Sequence, residues 1–236
     1  GNDGKLLTNL PFNQYTTSLI DFDWNIKDQM VYFKSDTASV GVFASKVANQ
    51  DSLRFNGKNA RYNLKDFSLG IGGVDFIHAA DAKIFPDKGM VTIRSNGLID
   101  SFANAIIICD TINQNHKIIK ANVQVKGRKD YLASGFYEYN LPGKNQEIAF
   151  SSIIGQRVGK GLMSQKATAT RAKGEINALD DFRIDTKTSF YGEIGLASED
   201  INLSFDGYAR LESSAIEENS WFRLNTRADK KNLVIE

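Results

Sequence analysis

The sequence has little of what staples or arms many proteins of its size. One cysteine, Cys109, stands in 236 residues. No intrachain disulfide can form, and no cysteine cluster can hold zinc or iron–sulfur. The two histidines, His78 and His116, confine any catalytic triad or multi-histidine metal site to that pair. Three prolines leave no proline-rich linker. Charge of one sign is also missing: 29 basic against 28 acidic residues give a formal net charge of +1. That argues against a generic polyanion binder, and no nucleic-acid partner is expected. No apolar run nears the ~20 residues of a membrane helix, so no membrane span is expected in this segment. The longest candidate, AIIIC at 105–109, is strand-sized.

What is there is a folded chain with a two-residue rhythm. Apolar residues make up 42% and charged ones 24%, an ordinary balance for a packed domain. In INLSFDGYARL, 201–211, Ile201, Leu203, Phe205, Gly207, Ala209 and Leu211 share one parity, and the polar residues and Tyr208 take the other. Leu203, Phe205 and Leu211 are expected on a dry face, with Asp206, Tyr208 and Arg210 outward. The same alternation marks QMVYFKS, KIIKANVQVKG, YLASGFYEYN, QEIAF and TSFYGEI, all rich in strand-favouring residues. Asn56-Gly57, Asp87-Lys88-Gly89, Asn96-Gly97 and Pro142-Gly143 read as turns.

Helical signals are few. Residues 15–24 have room for a turn or two. Residues 208–219 carry helix formers, with Ser213 and Ser214 as caps. The expected fold class is all-β, with short and mainly antiparallel strands in a curled sheet, a sandwich or an elongated repeat stack. One elongated unit over 1–236 is expected, or two sub-units meeting near 127–145. The chain opens on GNDGKLL without a methionine and closes on strand-like NLVIE, so a fragment of a longer chain is expected.

Weak repetition overlies the alternation. Phe-x-Gly recurs at Phe55, Phe190 and Phe205, and Gly-Glu-Ile recurs at Gly174 and Gly192. Glycines inside strands mark bulges or close backbone approaches. In LRFNGKNARYNL the apolar parity flips across Gly57, as a one-residue bulge or a two-residue turn would make it do.

Several of these segments carry a resemblance. FDWNIKDQMVYFKS, the LRFNGKNARYNL region through MVTI, KANVQVKGRKDYLASGFYEYN, TSFYGEIGLASEDINLSFDGYARL and NSWFRLNTRADKKNLVIE resemble parts of large β-rich envelope proteins of Bacteroidetes. The resemblance runs from Phe22 to Glu236. It includes an alanine-aspartate-x-isoleucine-x-proline step, which here carries Phe85 before Pro86 and reads Ala80-Asp81-Ala82-Lys83-Ile84-Phe85-Pro86. It implies an envelope location, on the periplasmic or surface side of the outer membrane, and a longer parent chain. It brings no activity with it. A looser likeness, of periodicity and turn placement, is to the strand repeats of periplasmic lipopolysaccharide-transport proteins.

Motifs for chemistry are sparse. His78, in FIHAADAKI, reads as an edge histidine, and His116, in NQNHK, as a turn residue. Cys109 follows three isoleucines and reads as a small apolar filler. GQRVGKG at 155–161 has glycine where a phosphate loop needs serine or threonine, and LGIGGVDF at 69–76 lacks the third glycine and the helix of a dinucleotide fingerprint. Asp21/Asp23 and Asp180/Asp181 are carboxylate pairs of permissive spacing that read as strand-end acids. No metal ligand set and no cofactor is expected.

Two features remain as ligand contacts. Lys160, Lys166, Arg171 and Lys173 read as a basic edge strand, or as a strip for acidic glycan or lipid headgroups. Tyr137 and Tyr139 share one strand face and suit sugar stacking if that face is open. The leading expectation is a non-enzymatic scaffolding module of a large envelope protein, partnered by other envelope proteins or by the rest of its own chain. A module that shields a lipid or lipopolysaccharide acyl chain is the alternative, and a glycan-binding domain the third. A filled interior, an open apolar groove and an exposed aromatic face distinguish them.

Overall fold

The structure, a computed structural model, describes residues 6–34, 40–158, 167–212 and 220–226, with a last strand at Val234–Ile235. The fold is all-β, and its paired strands are antiparallel. Among the described residues helix is limited to 3-10 turns at Ala48–Gln50, Asp87–Gly89 and Ser95–Gly97.

Two small sheets come first. One holds β1 (Thr8–Leu10), β2 (Tyr15–Thr17), β5 (Gly41–Ser45) and β6 (Arg54–Gly57) in that order. The other runs β11 (Val91–Ile93), β8 (Leu69–Gly72), β7 (Asn59–Asn63), β4 (Met30–Lys34), β3 (Phe22–Asn25). Where helical turns are expected over 15–24, Tyr15–Thr17 and Phe22–Asn25 are strands joined by a bend. Thr16 and Thr17, both buried, suit a pleated surface better than a helix.

The parity flip at Gly57 has a different cause from a bulge or hairpin turn. β6 belongs to the first sheet and β7 to the second, so the chain changes sheets across Lys58. Such corners join packed sheets. Gly57 fits because a Cβ there would lie 2.5 Å from Ile71 Cγ2, where the second sheet meets the first.

The third sheet is a strongly curled half-barrel. Its main path includes β9 (Ile77–Ala79), β10 (Ala82–Phe85), β12 (Phe102–Cys109), β13 (His116–Gly127), β14 (Asp130–Glu138), β15 (Glu147–Arg157) and β16 (Thr168–Ile176). It continues through β18 (Thr188–Ala197), β19 (Ser204–Leu211), β20 (Phe222–Asn225) and β21 (Val234–Ile235), and β17 (Arg183–Asp185) pairs with β18. Segment 127–145 lies within this sheet, in which β13, β14 and β15 pair in succession. The chain crosses from the second sheet to the third between β8 and β9, returns to the second for β11 and enters the third again at β12. One hydrophobic core runs through all three sheets.

Alternation decides which face is enclosed. Ile118, Ala121, Val123 and Val125 of β13 and Ile148, Phe150 and Ile153 of β15 are buried. Burial of Leu203, Phe205 and Ala209 confirms the β19 register, but Leu211 is 48% exposed. Leu211 is the last residue of the strand, where the enclosed interior ends. Residues 208–211 are strand, and the expected helix beyond them falls at 213–219, outside the described residues.

Candidate functional site

A cleft of about 920 Å³ opens where the first small sheet meets the edge of the curled sheet. Arg54 reaches it from β6, and His78 and Ala80 from β9 and the turn after it. Thr111 and Thr168 flank it, from the loop after β12 and the start of β16. Arg128 and Lys129, the two central residues of the β13–β14 hairpin, close it.

The hairpin is held in place by its backbone. Arg128 N–H donates to the Gln50 carbonyl at 3.1 Å, and the Arg128 carbonyl accepts from Ala80 N–H at 2.9 Å. Gly127 permits this approach, because a Cβ there would stand 2.9 Å from Gln50 Cα. Gln50 is buried and anchors the joint from within. Its Nε2 donates to the Gly97 carbonyl at 2.7 Å, and its Oε1 accepts from the Tyr15 hydroxyl at 3.0 Å. Gln50 thereby joins β2 and the 95–97 turn through its side-chain amide and the long hairpin through its backbone carbonyl.

The lining of the cleft is cationic. Among the described residues it includes two arginines, a lysine and a histidine, and no carboxylate. Lys129 lies 3.9 Å from Asp51, whose carboxylate is engaged closely by Arg157 at 2.7 Å. Neither Arg54 nor Arg128 has an ion-pair partner among the described residues. Burial pushes the His78 imidazole below its ordinary pKa, and the charges of Lys83 and Arg128 push it the same way. A hollow of about 330 Å³ continues from Arg54 and His78 past Phe76 and Asp75. The Phe76 ring meets His78 edge-on at 4.9 Å, with the Lys83 ammonium over it at 5.6 Å.

Beside the cleft lies a buried polar chain. The Thr170 hydroxyl donates to Asp81 Oδ1 at 2.6 Å and lies 2.8 Å from the Tyr131 hydroxyl. Cys109 is fully buried close to this chain. Burial, and next the Asp81 charge, push its thiol up to about 12. An inert thiol of this kind is a packing residue, not a nucleophile.

Tyr137, Tyr139, Arg171 and Lys173, expected from the sequence as ligand contacts, are not among the residues that line the cleft. Tyr137 and Tyr139 point into the enclosed side and pack against the core. The Tyr139 hydroxyl donates to the Ile184 carbonyl at 2.7 Å, and that of Tyr137 lies 3.3 Å from His116 Nδ1. This face is closed to a stacking sugar. Arg171 and Lys173 are outward on β16 but pair with Glu199 and Glu193. β16 is not an edge: β15 and β18 pair with its two sides. Lys160 and Lys166 lie outside the described residues.

His78 is on edge strand β9, as expected of it. His116 is not a turn residue. It begins β13, is fully buried, and its Nε2 lies 2.7 Å from the Asp200 carbonyl oxygen. Asp23 is exposed and pairs with Lys34, while Asp181 pairs with Lys144. No group of three or more potential metal ligands occurs among the described residues.

An aromatic cluster does form on the outer face. Tyr191 stacks on Tyr208 at 5.3 Å and meets Trp221 at 4.8 Å. The guanidinium of Arg210 lies over Trp221, and that of Arg223 over Tyr208. With arginines on these rings, the cluster is a cross-strand ladder that ties β18, β19 and the β20 end together.

Sequence reasoning missed Arg54, Arg128 and Lys129. GRKD at 127–130 is legible as a polar turn between two strands, but nothing local says that residues 54, 78, 111 and 168 converge on it. Comparison with protein-family models, curated proteins and solved structures finds no match. Fold and site thus define an all-β module with a cationic cleft at the joint of its sheets.

Proposed function

We propose that the chain is a non-enzymatic structural module of a larger cell-envelope protein. The observation that carries this reading is the filled interior of the curled sheet. Its enclosed face is packed by its own side chains, among them Ile118, Phe150, Phe190, Ile194 and Phe205, none more than 7% exposed. Tyr139 meets Phe205 edge-on at 6.1 Å and Phe182 at 5.4 Å, so rings from distant parts of the chain occupy the space an acyl chain would need. A packed β-interior of this kind resists deformation and suits a spacer between neighbouring parts of an assembly.

The compartment in this reading comes from the resemblance to Bacteroidetes envelope proteins, on the periplasmic or surface side of the outer membrane. Its contact surface is the β3 edge of the second small sheet, where Phe22, Trp24 and Ile26 are exposed. An unpaired strand edge bearing large apolar side chains favours association with another chain or with more of the same chain. The test is native mass spectrometry after incubation with a neutral diacylglycerol, a ligand with acyl chains and no charge. The expected result is the bare protein mass. An adduct that survives transfer and vanishes on denaturation would replace the scaffold with a lipid-shielding carrier.

A further inference from the structure

We propose that the cleft between β6, β9 and the β13–β14 hairpin is a binding site for a phosphomonoester group, with Arg54 and Arg128 as its principal ligands.

Charge argues for it first. A protein whose net charge is +1 places two arginines, a lysine and a histidine around one concavity, with no carboxylate among the described residues of the lining. Most other cations near carboxylates are neutralised: Arg94 by Asp66 and Asp100, Arg157 by Asp51, Arg171 by Glu199, Arg223 by Asp206. Arg54 and Arg128 have no such partner among the described residues. Like charges held together repel, and an anion between them relieves that repulsion.

Architecture argues for it next. Arg128 is not on a free loop. Its backbone is bonded on one side to Gln50 and on the other to Ala80, so both arginines stand on fixed elements. Guanidinium forks on fixed backbone suit bidentate recognition of a tetrahedral oxyanion. Thr111 and Thr168 add hydroxyl donors at the rim. A phosphomonoester carries about −1.5 to −2 at pH 7 and three acceptor oxygens. It matches this donor set better than a carboxylate, with one charge and two oxygens. At about 920 Å³ the cleft also holds part of the molecule that bears the phosphate.

Phosphate of this kind comes from a lipid headgroup or from a soluble or glycan-borne ester. Isothermal titration calorimetry of the whole chain with phenyl phosphate, with benzoate as the carboxylate control, tests the shared chemistry. The expected result is saturable binding of phenyl phosphate, weaker binding of benzoate, and a loss of about tenfold or more in the Arg54→Gln/Arg128→Gln double variant. Lys117→Gln, an exposed change away from the cleft, is expected to bind as the parent does. A thermal melt reports folding of each variant, and the two single variants give the same readout if the double variant fails to fold. No saturable phenyl phosphate binding, equal binding of benzoate, or binding untouched by the arginine variants would overturn the proposal. Co-sedimentation with phosphatidylcholine vesicles, with and without phosphatidic acid, then separates the sources. Arginine-dependent capture by phosphatidic acid identifies a lipid headgroup. Ester binding without vesicle capture identifies a soluble or glycan-borne phosphate.

Discussion

Gly192 and Gly207 stand directly opposite each other on β18 and β19, so close that a Cβ on Gly192 would lie 2.5 Å from the Gly207 Cα. Gly192 also has φ of 137°, a region side-chain-bearing residues rarely adopt. The Phe-x-Gly motifs at Phe190 and Phe205 are therefore one structural device. Their glycines meet backbone to backbone, and their phenylalanine rings meet edge-on across the same strand pair.

Alanine at either glycine is expected to destabilise the fold by about 2 to 3 kcal/mol, since both intruding methyls meet backbone that cannot step aside. Gly195→Ala is the internal comparison. Its Cβ would meet the Ser204 hydroxyl, the rotatable end of a side chain, and little else. A cost under about 1 kcal/mol is expected there. Urea melts of the three variants check this. Equal losses at all three positions would mean that the glycine pair is not a close contact.

The register of β19 gives a second prediction. Phe205→Asp places a carboxylate among Tyr139, Phe190 and the rest of the enclosed side, and is expected to unfold the chain. Asp206→Ala removes only an exposed ion pair with Arg223 and is expected to change stability by less than about 1 kcal/mol. Circular dichroism melts separate the two, and similar tolerance of both would break the register.

Alternation made most of this sheet legible before its structure. Period-two burial follows from local chain geometry, so Leu203, Phe205 and, in β13, Ala121, Val123 and Val125 could be read directly. Ile119, on the same parity, is replaced by Ile118 on the buried face, because the pairing register shifts between Ile119 and Asn122 and Lys120 has φ of 50°. The Gly-Glu-Ile repeat was visible too, but its meaning was not. The two tripeptides do not stack as successive repeats. They lie antiparallel on β16 and β18, with Gly174 opposite Ile194 and Ile176 opposite Gly192. Pairing is a long-range fact, and so is the cleft, whose residues are spread from Arg54 to Thr168. His116 was misread for the same reason. Its polar neighbours 113–115 mark a turn, while the partners that bury it, Tyr137 and Asp200, are distant in sequence.

Gln50 gives a third prediction. Gln50→Leu keeps the volume but takes from the Gly97 carbonyl its side-chain donor and from the buried Tyr15 hydroxyl its Gln50 acceptor, leaving Ser45 beside it. The expected cost is about 2 to 3 kcal/mol. Adding Tyr15→Phe removes the hydroxyl that loses this acceptor, so the double variant should be less damaged than the sum of the singles, a coupling of about 1 kcal/mol. Strict additivity in a double-mutant cycle would show that the amide and the phenol are not energetically linked.

Stability at alkaline pH gives the last prediction, and it depends on Cys109. Its folded-state thiol is pushed up to about 12, by burial first and the Asp81 charge second, whereas an unfolded-chain thiol titrates near 8.5. Between those values the unfolded chain has released a proton that the folded chain still holds. Stability from this group is thus fully present below about pH 8.5 and declines above it, by about 1.4 kcal/mol per pH unit. The phenols of Tyr15 and Tyr131 are also raised, chiefly by burial, but an unfolded tyrosine titrates only near 10, so their losses start later. In Cys109→Ala the decline should therefore begin about 1.5 pH units higher than in the parent. Chemical denaturation at intervals from pH 7 to 11 reads both onsets, and a parent curve that stays flat to pH 10 would show that the thiol is far less buried than the structure has it. The same burial implies that iodoacetamide reaches Cys109 only when the protein opens, so at fixed pH the labelling rate should rise with denaturant in step with unfolding.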